Sequence, residues 1–185
     1  RSTVSVQETL ETKRVGAFIS VVNGGVLGLA RHWLLLANAF LSVFVTLPYL
    51  APYLMAQGYT VPAQAIYTVY RLVCHQLWQR HYWLFGYPAA IDHRLTALYG
   101  SLLVGGLLFA LVRRRLQPLN WRLYLLIAIV PMALDGLTQL FGFRESNWLL
   151  RTITGALFGL ASVWLLYPHL ERSMRDIQSE MEKGG

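Results

Sequence analysis

Cysteine is almost absent from this chain. Cys74 stands alone, so no disulfide can close within the sequence and the thiol count does not fix a redox compartment. There is no CxxC pair to hold zinc or attach haem, and no glycine fingerprint of a nucleotide-binding turn. Charge is scarce too: 14% of the 185 residues are Asp, Glu, Lys or Arg, with nine acids against sixteen bases. The resulting net charge of +7 would suit nucleic acid, but the arginines cluster at the ends of apolar runs rather than along a solvated face. That placement speaks for membrane topology and anionic headgroups, and against a nucleic-acid partner.

What the chain has is apolar sequence, 55% hydrophobic with six tryptophans and a mean hydropathy of +0.43. Four runs, each about the 20 residues a helix needs to cross a bilayer, take up most of the length. An all-α, polytopic membrane protein is therefore predicted. No soluble catalytic domain fits in the remainder, and the chain is not read as an enzyme.

Three parts follow: residues 1–32, a polar tail and a short apolar segment; residues 33–167, a four-helix transmembrane domain; and residues 168–185, a charged tail that extends the last helix and frays. Residues 15–30 are apolar but interrupted by Asn23-Gly24-Gly25, and read as interfacial, re-entrant or packed on a partner. The full-length span that follows argues against a cleaved signal peptide. The predicted spans are residues 33–55, 95–112, 121–143 and 148–167. In the first, Pro48 and Pro52 predict a kink or an end of regular helix. Between the first two, GYTVPAQ predicts a turn, and residues 63–79 an amphipathic interfacial helix. Its apolar face would carry Ile66, Val69, Tyr70, Val73 and Leu77. HYWLFGYPAAIDHR then reads as an aromatic connection at headgroup level. With a cytoplasmic N-terminus, eleven Lys and Arg fall inside and five outside, so both termini are expected in the cytoplasm of a prokaryotic cell (inner) membrane.

Two constellations could carry chemistry. Asp135 lies about 20 Å along the third span at about 1.5 Å per residue, where an ionised carboxylate must be paired or line a wet cavity. Thr138 and Gln139 share its face, and Arg94, Arg144 and Arg151 are its candidate partners. The set reads either as a proton, ion or substrate site, or as an ion-paired knot between helices. In the second, Cys74 and His75 with Asp92 could ligate a metal, and His81 and His93 lie close enough in sequence to complete the set. Adjacent residues on a helix point about 100° apart, however, which disfavours Cys74 and His75 on one ion or as a nucleophile and base. Trp78, Tyr82, Trp83, Phe85 and Tyr87 would suit a lipid tail, quinone or pigment, or form an interfacial belt. The sequence itself requires no cofactor. Gly155-Ala156-Leu157-Phe158-Gly159 is a GxxxG that lets helices approach closely.

These blocks resemble a family of small prokaryotic integral membrane proteins known as domain of unknown function 2085. LPYLAPYL (47–54) is similar to the family's LPxLAPxL, and Tyr70 with Cys74-His75-Gln76 and Arg80 to its YxxxCHQxxxR hallmark. ALDGLTQLFGFRESN (133–147) and LLRTITGALFG (149–159) are similar to its last two spans. Where the family has CxRCTGIY this chain reads DHRLTALY, with Asp92 and Leu95 in place of two cysteines. The resemblance implies a scaffold whose metal chemistry is degraded in this member. Two functions are therefore expected: a non-catalytic accessory or assembly subunit of a larger membrane complex, bioenergetic or photosynthetic; or a small transporter or metal/redox protein using Asp135 and Cys74-His75. The bilayer, and in the first case other membrane subunits, are the expected partners.

Overall fold

Apolar length decides the architecture. The computed structural model describes the backbone of residues 2–113, 115–143 and 146–183, and the side chains of these from Ser20 onward together with Phe18. Four helical stretches within it are long and apolar enough to cross a membrane: Ser20–Ala56, His93–Val112, Trp121–Leu140 and Trp148–Lys183. The all-α, four-span expectation stands. Large apolar side chains such as Leu107, Leu111, Leu126, Leu134 and Leu140 point outward, as lipid contact requires.

Helix α1 runs unbroken over Ser2–Ala56. Residues 15–30 are therefore continuous with the first span and do not form a re-entrant turn. Two adjacent glycines each cost about 1 kcal/mol of helix propensity, too little to break a helix that is continuous on both sides. Nor do Pro48 and Pro52 end the helix, since it continues to Ala56 with both inside. Pro48 has no N–H to give the carbonyl of Phe44, four residues back, and that carbonyl accepts instead from the Tyr70 hydroxyl at 2.6 Å. Helix α2 (Thr60–Tyr70) supplies the donor. The same device recurs in α6 (Trp148–Lys183), where Pro168 frees the carbonyl of Trp164 and the backbone N–H of Leu119 fills it at 3.2 Å. Neighbouring segments thus re-satisfy the groups that proline releases, the condition for proline inside a spanning helix. Tyr70→Phe should cost about 1–2 kcal/mol by orphaning a buried carbonyl. Less than half of that should remain in a Pro48→Ala background, where the helix regains its own donor; unfolding of the four proteins in mixed micelles measures it.

After α2 the expected helix does not continue to residue 79. It is capped at Arg71, the chain turns through residues 71–73, and Cys74 to Leu77 are non-helical, followed by a 3₁₀ turn at Trp78–Arg80. Of the predicted apolar face only Ile66 and Tyr70 pack inward, while Val69, Val73 and Leu77 are exposed. The aromatic connection is in fact a β-hairpin, β1 (His81–Leu84) and β2 (Tyr87–Asp92), antiparallel with His81 opposite Asp92 and Leu84 opposite Tyr87. Phe85 and Gly86 close it with φ of 54° and 81°, both in the left-handed region that a two-residue type I′ turn demands. Phe85 is held there by an edge contact with Tyr53, ring centroids 5.7 Å apart.

Helix α3 (His93–Val112) follows directly, and then a rod over Trp121–Leu140 made of α4 (Trp121–Tyr124), a π-helical turn at Leu125–Ile129 and α5 (Val130–Leu140). The π turn lies immediately before Pro131, where the i→i−4 ladder loses a donor. Helix α6 packs on α3 through its GxxxG. A methyl built on Gly155 would sit 2.5 Å from the carbonyl oxygen of Arg94, and one on Gly159 2.5 Å from that of Leu98.

Two compact units divide the chain, Arg1–Trp33 with Leu170–Gly185, and Leu34–His169. In the first, the Trp33 indole donates to Glu171 at 3.0 Å, the Gln178 amide to the Ala30 carbonyl at 2.7 Å, and Arg31 pairs with Glu182 at 2.9 Å. Glu171 is buried, and its second oxygen accepts from Arg175. The second unit holds the helix packing and the candidate site.

Candidate functional site

The Cys-His-Gln loop is built by hydrogen bonds that close the end of α2. Gln76 adopts a left-handed φ of 48°, which turns its buried side chain back on the helix. Its amide nitrogen donates to the carbonyl of Tyr67 at 2.7 Å, and its amide oxygen accepts from Arg71 at 3.2 Å. That carbonyl, which also accepts from the Arg71 backbone N–H at 3.1 Å, thereby gains a second donor from a side chain nine residues on. Gln76 acts as the helix's C-terminal cap.

Cys74 meets His81, not His75. Its Sγ lies 3.9 Å from His81 Nε2, while His81 Nδ1 donates to the carbonyl of Ala89 at 2.6 Å. A carbonyl can only accept, so the proton sits on Nδ1 and Nε2 is the acceptor for the thiol in the neutral ring. Burial pushes the Cys74 thiol above its ordinary value, although the backbone N–H groups of Gln76 and Asp92 pull the other way. Burial also lowers His81, against the bond to Ala89 and the charge of Asp92. Both shifts favour the neutral thiol and imidazole over a thiolate–imidazolium pair. The pair thus links the loop to the hairpin. His75 is exposed.

Asp92 caps α3: its carboxylate accepts from the backbone N–H of Leu95 at 2.8 Å. Among the described residues no three His, Cys, Asp or Glu side chains converge as metal ligands. Cys74, His75 and Asp92 nonetheless line one open pocket of about 460 Å³, together with Gln76, Arg80 and Arg94. Leu95 lies in the same wall, so both positions where the resemblance has cysteines face the Cys-His-Gln loop.

Asp135 is buried on α5, with a residual exposure of 1%. Its Oδ2 accepts from the Arg94 guanidinium and, at 2.9 Å, from the Ser146 hydroxyl. Arg151, also buried, donates from Nε to the Ser146 carbonyl at 3.1 Å. One knot therefore ties the start of α3, the middle of α5, the following loop and the first turn of α6. Of the residues expected around Asp135, Arg94 and Arg151 are brought to it. The Thr138 hydroxyl donates to the Leu134 carbonyl of its own helix at 2.7 Å, Gln139 is half-buried one turn away, and Arg144 lies outside the described residues. Arg94 belongs to both constellations: it lines the pocket and pairs with Asp135. The sequence alone did not point to Ser146, and it offered His81 beside Cys74 only as one of several candidate metal ligands. The hairpin places His81, and its one sequence signal is the aromatic alternation around Phe85-Gly86.

The arrangement matches a known group of sequences. The family model described as predicted membrane protein (DUF2085) matches residues 74–165, from the Cys-His-Gln loop into α6. An uncharacterized protein of Methanocaldococcus jannaschii is 36% identical over 146 residues, 75% of this chain and 92% of that protein. The chain belongs to the DUF2085 family. A second relative, an uncharacterized protein of Methanothermobacter thermautotrophicus, is 33% identical over 103 residues, 55% of this chain and 92% of its own length. No solved structure matches. The family match begins at Cys74, and the pocket that Cys74, Asp92 and Arg94 line falls within it.

Proposed function

We propose that this DUF2085 protein is a non-catalytic accessory or assembly subunit of a larger membrane complex. The observation that carries the reading lies in the first unit. Phe18, Val21, Val22, Val26 and Leu29 are exposed on α1, and their spacing puts them on one stripe of the helix. The segment of α6 bonded to Ala30, Arg31 and Trp33, immediately after this stripe on α1, through Gln178, Glu182 and Glu171 is rich in charge and belongs in water or headgroups. An apolar stripe at that depth is not explained by lipid and suits the surface of another subunit. The side chains that could do chemistry in the second unit support the same reading, because each already has a structural task. Cys74 and His81 bond each other, Gln76 caps α2, Asp92 caps α3 and Asp135 pairs with Arg94. A transporter or metal/redox protein using Asp135 and Cys74-His75 is the second reading, and these engagements weigh against it.

The positive-inside count favours cytoplasmic termini in a prokaryotic cell membrane, and on that orientation the stripe lies on the cytoplasmic side. Extraction of the tagged full chain from its native membrane in mild detergent tests the reading. A partner should co-purify in fixed ratio and be lost from Val22→Glu/Val26→Glu. A chain that is always monomeric and alone would sink it.

A further inference from the structure

The pocket at the Cys-His-Gln loop has a charge pattern that its structural tasks do not explain. Its polar wall carries Arg80, Arg94 and His75, and the one carboxylate in the lining, Asp92, is already engaged in capping α3. Arg80, Arg94, Asp92 and Asp135 all lie within electrostatic reach of Arg151. Three guanidiniums thus face two carboxylates, and the described side chains here hold one positive charge in excess. Arg80 forms no ion pair among the described residues. Arg94 reaches Asp135 through one terminal nitrogen, while its Nε is buried without an acceptor. An uncompensated cation beside a spanning helix is costly, and an anion in the pocket would offset that cost.

The apolar part of the lining is Val73, Leu77, Leu95 and Met132. A volume of about 460 Å³ is far larger than one ion and falls in the range of small organic ligands. Guanidinium groups bind phosphate through paired N–H donors, and a pocket lined by both cations and aliphatic groups fits a phosphate that carries an apolar or organic remainder.

We propose that the pocket between the Cys-His-Gln loop and the start of α3 binds a phosphate-type oxyanion, with Arg80 and Arg94 as its cations and His75 as a further donor. The oxyanion belongs either to a lipid headgroup or to a solute. This assignment is independent of the subunit reading, since it rests on the second unit and a different set of side chains.

The test uses the purified full chain in an uncharged detergent. Thermal unfolding is followed while inorganic phosphate replaces chloride at constant ionic strength. Native mass spectrometry compares retention of phosphatidylglycerol with that of phosphatidylcholine. Wild-type protein should bind at least one probe, and R80Q and H75E should each weaken that binding about tenfold. R122Q, on an exposed arginine of α4, should leave it unchanged. His75 is exposed, so H75E keeps the test open should R80Q fold poorly. A phosphate response without lipid preference identifies a solute anion, and phosphatidylglycerol preference alone identifies a lipid. Binding of neither probe, or binding that R80Q and H75E leave as strong as in wild type, would overturn the proposal.

Discussion

Asp135→Ala should lower the folding free energy by about 3–5 kcal/mol, the cost of stranding one member of a buried ion pair. Asp135 is 1% exposed, and the Arg94 side chain that it neutralises is 17% exposed. Removing the carboxylate therefore leaves a guanidinium at the start of a spanning helix with no counter-charge, and frees Ser146 as well. Asp135→Asn keeps an acceptor for Ser146 but not the charge, and should lose less. The double variant Asp135→Leu/Arg94→Met removes both charges and should recover most of the loss, because the expense lies in the unpaired ion. Reversible unfolding in mixed micelles gives all three values. Equal stability of Asp135→Ala and wild type would mean that the knot does not hold the helices together. If Asp135→Asn instead abolished a cellular phenotype at undiminished abundance, the transport reading would gain at the expense of the subunit reading.

The second large effect is expected at the α3–α6 contact. Gly159→Leu should separate the two helices and reduce the yield of folded protein severely, while Gly159→Ala should cost roughly 1–3 kcal/mol. The difference follows from what a side chain would meet. At Gly159 the nearest atoms are the Ser101 hydroxyl and the backbone carbonyl of Leu98, the latter 2.5 Å from a built methyl. Ser101 can rotate away, but a helix backbone cannot. Ser101→Ala should therefore relieve only part of the Gly159→Ala penalty. Gly100, with nothing within 4 Å of a built methyl, serves as the control position, and Gly100→Ala should be near neutral. Equal loss at Gly100 and Gly159 would show that close approach of the two helices does not set the penalty.

The expected helix over residues 63–79 failed for a reason that periodicity could not reveal. Val69, Val73 and Leu77 recur at helical spacing, yet the chain leaves the helix at Tyr70 because Gln76, in a left-handed conformation, brings its side-chain amide back to Tyr67. That cap is a contact over nine residues, outside any window of local propensity. Pro48 and Pro52, read as a kink or an end of regular helix, do not end α1 for a related reason, and Pro168 shows the same device in α6. Proline removes a donor wherever it stands, but whether the helix ends there depends on a substitute, and Tyr70 and Leu119 come from distant sequence.

The candidate site divides along the same line. An intramembrane aspartate must find a cation or water in any fold, because the bilayer offers an ionised carboxylate no solvation. The need for a partner to Asp135 was therefore legible in the sequence, and Arg94 and Arg151 were among the few available. Which nitrogen meets which acceptor was not legible, nor was the bridging role of Ser146.

Hydropathy alone determined that this is an all-α membrane protein with four spans, since only helices of that length satisfy their own backbone in hydrocarbon. The small-residue spacing of GxxxG likewise marked the faces that approach. Tertiary structure alone decided that Cys74 pairs with His81, that Asp92 caps a helix, and that Arg94 joins the Cys-His-Gln pocket to Asp135. Each of these is a meeting of groups held by different elements, and its geometry exists only once the hairpin and helices have packed.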